Sequence, residues 1–221
     1  MDSKFWQQRW QEGRIGFHQP NVNPQLIKYI SNLALSIGSQ VLVPLCGKSV
    51  DMAWLAHEGY DVVGIELVET AVQAFFSEQN IIPTIAEFTS ATDKSTLKRY
   101  QGQLADQTIT LWAADIFSLN ATDIGDIDAV YDRAALIALP ADMRQKYSKQ
   151  IRKLSHNASQ LLMTLTYDQS KKAGPPFSIS HKDIQQYYGT HYQIKELEGE
   201  SSTLNAASEI AVTEHVWLLT K

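Results

Sequence analysis

The sequence predicts an α/β fold of the open, doubly wound kind, and two stretches carry that prediction. Residues 41–51, Val-Leu-Val-Pro-Leu-Cys-Gly-Lys-Ser-Val-Asp, begin as a buried strand, break at Pro44 and Gly47, and pass into a helix-like run from Ser49. Residues 60–66, Tyr-Asp-Val-Val-Gly-Ile-Glu, form a second apolar strand that ends on a carboxylate. That carboxylate stands about twenty residues past the turn, the spacing at which an acidic side chain accepts hydrogen bonds from a ribose. This first βαβ unit therefore reads as a nucleotide-type cofactor site.

The 221 residues suffice for one α/β domain with a sizeable core and are too few for two ordinary domains and a linker. A single domain, 1–221, is expected, with 1–36 as an N-terminal cover and helices and 40–221 as the core. The net charge of -5 comes from intermixed charges with no basic block, which argues against nucleic acid as a partner. A small-molecule partner is expected, and nothing demands more than a monomer. One cysteine permits no internal disulfide and allows a reducing compartment. The first ten residues contain no apolar leader core and no apolar run is long enough to span a bilayer, so a soluble, cytoplasmic protein without membrane contact is expected.

In chain order, Phe5/Trp6 and Arg9/Trp10 at helical spacing predict a short amphipathic helix over residues 3–12. The next segment, 13–20, holds two glycines and a proline, so it presents Phe17 and His18 on a loop of the kind that covers sites. Asn23-Pro24 opens a helix through about Ser36, with Leu26, Ile27, Ile30, Leu33 and Ile37 apolar and Gly38 closing it.

Gly47-Lys48-Ser49 invites a phosphate-loop reading, but the place of the required first glycine is taken by Leu42, inside the strand. The turn also lacks the G-x-G-x-x-G spacing by which backbone approaches a pyrophosphate. A nucleoside cofactor without phosphates fits better, and S-adenosylmethionine is the common one.

Residues 69–78 read as a helix on Ala71, Val72, Phe75 and Phe76, while 81–107 is polar and irregular, with a short helix and an edge hairpin both open. A strand over 108–113 leads to Asp115-Ile116-Phe117 at its carboxyl end. There Asp115 can accept from an adenine amino group with Ile116 over the ring, the other reading being a helix-capping aspartate. Strand 128–131 ends at Asp132 and Arg133. Arg133 either forms a structural ion pair or faces the crevice to bind a methionyl carboxylate or an anionic acceptor.

Helix 141–154, a buried strand at 161–166 and a stiff loop through Gly174-Pro175-Pro176-Phe177 follow, the last suited to hold Phe177 as an acceptor wall. Ser180 starts a further helix, and strands near 191–197 and 210–219 complete the chain as an antiparallel hairpin. His215 and the other histidines show no metal-ligand spacing and read as surface or packing residues, so no metal is expected. Cys46 reads as a small buried hydrophobe.

Taken together, Trp10, Gly16-Phe-His18, Val43-Pro-Leu-Cys-Gly-Lys48, Gly64-Ile-Glu66, Asp115-Ile-Phe117, Tyr131-Asp-Arg-Ala-Ala-Leu136, Tyr167-Asp168 and Gly174-Pro-Pro-Phe177 resemble the thiopurine S-methyltransferase family in order and spacing. The resemblance covers nearly the whole chain. It implies a Rossmann-like, seven-stranded class I methyltransferase sheet with helices on both faces, an N-terminal helical lid, and S-adenosylmethionine at the carboxyl ends of the strands. It implies methyl transfer to sulfur, or to selenium or tellurium in some bacterial members, and it favours Asp115 and Arg133 in the crevice. On this basis Trp10, Leu45, Glu66, Asp115, Ile116 and Arg133 are expected around the cofactor and Phe17, His18 and Phe177 around the acceptor, with no residue required as a dedicated base.

Three readings compete with it. A halide or small-thiol methyltransferase would differ only at the acceptor rim. A nicotinamide-dependent oxidoreductase would need the missing glycines, and a non-catalytic nucleoside-binding protein would not need an aromatic lid.

Overall fold

The computed structural model of the protein describes residues 3–203 and 210–221. Its strands are β1 (Gln40–Pro44), β2 (Asp61–Glu66), β3 (Thr84–Thr89), β4 (Thr96–Leu104), β5 (Gln107–Ala113), β6 (Ala129–Arg133), β7 (Ser159–Thr166), β8 (Gln193–Thr203) and β9 (Ala211–Thr220). They form one sheet in the order β3-β4-β5-β2-β1-β6-β7-β9-β8. From β5 to β7 neighbours run parallel, so their carboxyl ends share one edge, while β9 is antiparallel to both β7 and β8.

Among the described residues there are nine strands where seven were expected. The two extra ones are β3 and β4, an antiparallel pair added beside β5. They occupy the polar stretch that the sequence left open between helix and hairpin.

The helices are α1 (Ser3–Gln11), α2 (Pro24–Tyr29), α3 (Val50–His57), α4 (Glu69–Glu78), α5 (Ala121–Ile124), α6 (Ala141–Leu154) and α7 (His181–Tyr188). Strand alternation divides the core between the two faces of the sheet. Val41 and Val43 pack with Met52, Leu55, Phe75 and Phe76 of α3 and α4, whereas Leu42 packs with Tyr147, Ile151, Ile184 and Tyr188 of α6 and α7. Helices thus cover both faces, and the carboxyl edge is left for the site.

The helix expected through Ser36 is shorter. Asn23 caps it by accepting from Gln25 N and Leu26 N, but α2 tightens into a 3-10 turn over Ile30–Leu33, and Ala34, at φ 50°, ends it. Ile27 and Ile37, expected on its apolar face, are 52% and 79% exposed.

Candidate active site

The first βα turn is built on two left-handed residues, Leu45 at φ 48° and Gly47 at φ 55°, with Cys46 between them. Glycine suits position 47 twice over, because a Cβ there would also stand 3.2 Å from Cζ2 of Trp10. Leu45 holds a conformation that an L-residue adopts only under constraint. The constraint is visible, since Cys46 N donates back to Ile65 O of β2 at 3.0 Å.

Glu66, the last residue of β2, closes this turn. Its Oε2 accepts from Gly47 N at 2.9 Å and its Oε1 from Val68 N at 2.7 Å. Burial pushes its carboxyl pKa up, and the backbone N–H bonds pull against that shift. Two accepted bonds leave further lone pairs on the carboxylate for ribose hydroxyls.

Asp51, in the first turn of α3, is a hub on the neighbouring side. It is 1% exposed, and its Oδ1 accepts from Asn23 N at 2.9 Å. Its Oδ2 accepts from the Tyr131 hydroxyl at 2.9 Å and from Arg133 Nε at 3.0 Å. Burial, then the Asp51 charge, push the Tyr131 phenol well up, so it remains a donor. One carboxylate therefore aligns the N-terminal segment, β6 and the Arg133 guanidinium.

A cavity of about 490 Å³ opens at this edge. It is lined by the rings Trp6, Trp10 and Phe17, by Leu45, Glu66 and Arg133 at the strand ends, and by Met163, Pro175 and Pro176. Phe17 meets Trp6 and Trp10 edge-on at 5.9 and 5.8 Å between ring centroids. His18 lies with Lys48, Asp51 and Arg133 on an adjoining recess of about 30 Å³. Burial, then the Lys48 charge, lower the His18 pKa, so its ring is neutral near pH 7.

Five of the nine residues expected at the site line the larger cavity, namely Trp10, Phe17, Leu45, Glu66 and Arg133, and His18 lines the recess. The other three are placed elsewhere. Asp115 caps the 3-10 turn Ile116–Ser118 by accepting from Phe117 N at 3.0 Å. Ile116 is wholly buried in the core on the α6 and α7 face. Phe177 turns its ring to the Arg144 guanidinium, 5.2 Å from the centroid, and the wall it was expected to form is made by Gly174, Pro175 and Pro176. Arg133 pairs with Asp51 and still borders the cavity, so its structural and crevice readings coincide.

Sequence reasoning missed Asp51, which lines the recess, and Met163 and the cations Arg9 and Lys172, which border the cavity. Asp51 had one legible signal, its place two residues past a serine cap.

The donor set fits S-adenosylmethionine. The volume lies in the range of small-molecule sites, a strand-ending carboxylate has lone pairs to spare, and the single-glycine turn offers no nest of bare backbone for a diphosphate. A doubly wound sheet with this edge defines a class I, S-adenosylmethionine-dependent methyltransferase. The whole chain, residues 1–221, matches the family described as thiopurine S-methyltransferase, and the chain belongs to that family.

A thiopurine S-methyltransferase of Psychrobacter cryohalolentis is 64% identical over 222 residues, covering 100% of both chains. One of Teredinibacter turnerae is 42% identical, covering 100% of this chain and 98% of its own. Among solved structures, the Burkholderia thailandensis 1,6-didemethyltoxoflavin-N1-methyltransferase with bound S-adenosylhomocysteine superposes at a TM-score of 0.63 and 13% identity, covering 99% of this chain and 87% of that one. At that identity the likeness concerns the fold.

Proposed function

We propose that the protein methylates the sulfur of aromatic or heterocyclic thiols of the thiopurine kind. The observation that carries this reading is the aromatic group of Trp6, Trp10 and Phe17, which lines one cavity with the Glu66 carboxylate and brings the Trp10 and Phe17 rings against the Gly47 turn. S-adenosylmethionine supplies an electrophilic methyl group on a sulfonium. Glu66 and the Leu45–Gly47 turn hold the nucleoside, and Arg133 or Arg9, both on the cavity, binds a carboxylate. Trp10 presents a ring to the cationic end.

Attack of a thiolate on a sulfonium cancels opposite charges, so water, which solvates both, slows the step. The chain's contribution is accordingly orientation and exclusion of water by rings and prolines. Aromatic thiols ionise readily, and Arg9, Arg133 and Lys172 around the cavity favour an anionic acceptor. In this reading Asp115, Ile116 and Phe177 shape the site from behind its surface, and His18 packs.

The whole chain, 1–221, acts as one catalytic domain and as a monomer on small molecules in the cytoplasm, with neither nucleic acid nor membrane as partner. Two facts support this setting: Cys46 is free and buried, and no described helix is long and apolar enough to cross a membrane.

Calorimetric titration with S-adenosylhomocysteine, followed by methyl transfer to an aromatic thiol and to selenite, tests the proposal. Binding with thiol turnover supports it, and selenite turnover extends it to the heavier chalcogens implied by the sequence resemblance. Binding without turnover of a thiol would sink the acceptor assignment.

A further inference from the structure

His181, Glu196 and His215 are separated in sequence by intervals that form no ligand pattern, yet they meet at one point. They come from the start of α7, from β8 and from β9, and their ligand atoms all lie within 4.8 Å of one another. Glu196 bridges the two rings, with Oε2 2.9 Å from His181 Nε2 and Oε1 2.6 Å from His215 Nδ1.

Three features go beyond an ion pair. Thr166 Oγ1 sits 2.9 Å from the other ring nitrogen of His215, Nε2. Without an ion, Nδ1–H donates to Glu196 and the hydroxyl donates to Nε2; an ion that displaced the Nδ1 proton would find Nε2–H donating to the same hydroxyl, the outer arrangement that fixes a metal-binding imidazole. The His181 ring is set edge-on against both His215 and Trp217, at 5.0 and 4.9 Å. Finally, the register of β8 shifts between Glu196 and Glu198, and the strand then places Gly199 beside the cluster. A Cβ on Gly199 would stand 3.2 Å from Glu196 Oε1 and 3.5 Å from His215 Nδ1, so the missing side chain leaves room next to the ligand atoms.

We propose that His181, Glu196 and His215 bind one divalent transition ion of the zinc type at the rim of the methyl-transfer cavity. Two imidazoles and one carboxylate are a donor set suited to zinc and its neighbours, whereas magnesium and calcium take oxygen ligands. Ligand atoms about 2.0–2.2 Å from a common ion lie closer together than 4.8 Å, and His181, the most exposed of the three, is free to swing inward. The ion would tie the start of α7 to β8 and β9, where His215 lines the same cavity as Pro175 and Pro176.

The test is calorimetric titration of the tag-free, full-length chain with Zn²⁺ near neutral pH, together with paramagnetic resonance of the Cu²⁺-loaded chain. One ion per chain is expected, with imidazole nitrogen coupling in the Cu²⁺ spectrum and a thermal midpoint raised by the metal. His181→Ala, an exposed change, and Glu196→Gln should each weaken Zn²⁺ binding by at least about tenfold. With His181→Ala the midpoint of the metal-free chain should stay put. No binding below millimolar Zn²⁺, or binding indifferent to both substitutions, would overturn the site and leave the cluster as a hydrogen-bonded ion network. Neither result touches the methyl-transfer reading, which rests on other residues.

Discussion

Arg133 Nε stands 3.0 Å from Asp51 Oδ2 across 82 residues of sequence, and the carboxylate is the more buried partner, its side chain 1% exposed against 14% for the guanidinium. Removing one member of such a pair leaves the other charge poorly solvated. Asp51→Ala should therefore destabilise the protein by about 3 kcal/mol, and adding Arg133→Met should recover part of that loss. Urea unfolding of both single variants and the double variant measures the coupling. Strictly additive losses would mean that the two side chains do not depend on each other.

Glu66→Gln tests the cofactor site. A glutamine presents one acceptor and one donor to the two backbone donors Gly47 N and Val68 N, so it loses a bond to the turn as well as ribose acceptance. Affinity for S-adenosylhomocysteine should fall by roughly 1–3 kcal/mol, about five- to 160-fold, read by calorimetry. Unchanged affinity would remove Glu66 from the cofactor.

Trp10 packs against Gly47 of the turn and against Phe17. Trp10→Ala should lower turnover about three- to tenfold, the equivalent of one or two aromatic contacts, with little effect on S-adenosylhomocysteine binding. Equal loss of both would make the ring a plain cofactor contact.

Asp132 is wholly buried and accepts from the Tyr147 hydroxyl at 2.6 Å. Burial pushes its pKa up from 3.8 to about 6 in spite of that bond. The folded state then holds a proton that the unfolded state has released between these values, so stability present below pH 3.8 is lost as pH rises through 6. Two pKa units correspond to about 3 kcal/mol. Asp132→Asn abolishes the titration, so from pH 4 to 7 the wild type should lose about that much stability relative to the variant. Thermal unfolding across this range checks it, and parallel pH profiles would count against a raised Asp132 pKa.

How far the sequence reached can be seen residue by residue. Helices α4 and α6 lie where their periodicity placed them, because each buries one regular stripe. The β3–β4 pair was legible only as one of two alternatives, an edge hairpin beside a short helix, since Thr84, Ile85, Glu87, Phe88 and Thr89 of β3 are all exposed and give no core-facing alternation to decide between them. Glu66 and Leu45 were legible as strand ends of a βαβ unit. Asp51 was not, because Asn23, Tyr131 and Arg133 stand 28, 80 and 82 residues away and only the folded sheet brings them to it. The direction of Phe177 was set by Arg144 on a distant helix, which no loop composition could reveal.

Helix α1 buries none of its nine residues, although it supplies two of the rings that line the cavity. Its attachment near the site is a handful of ring contacts, each worth about 0.5–1.5 kcal/mol, followed by a segment that turns at Gly13 with φ 65°. A part held so lightly opens far more often than the sheet unfolds. Release of this one short helix would open the cavity to bulk water while the strands beneath it stay paired, so the same rings that exclude water would also set how often reactants exchange.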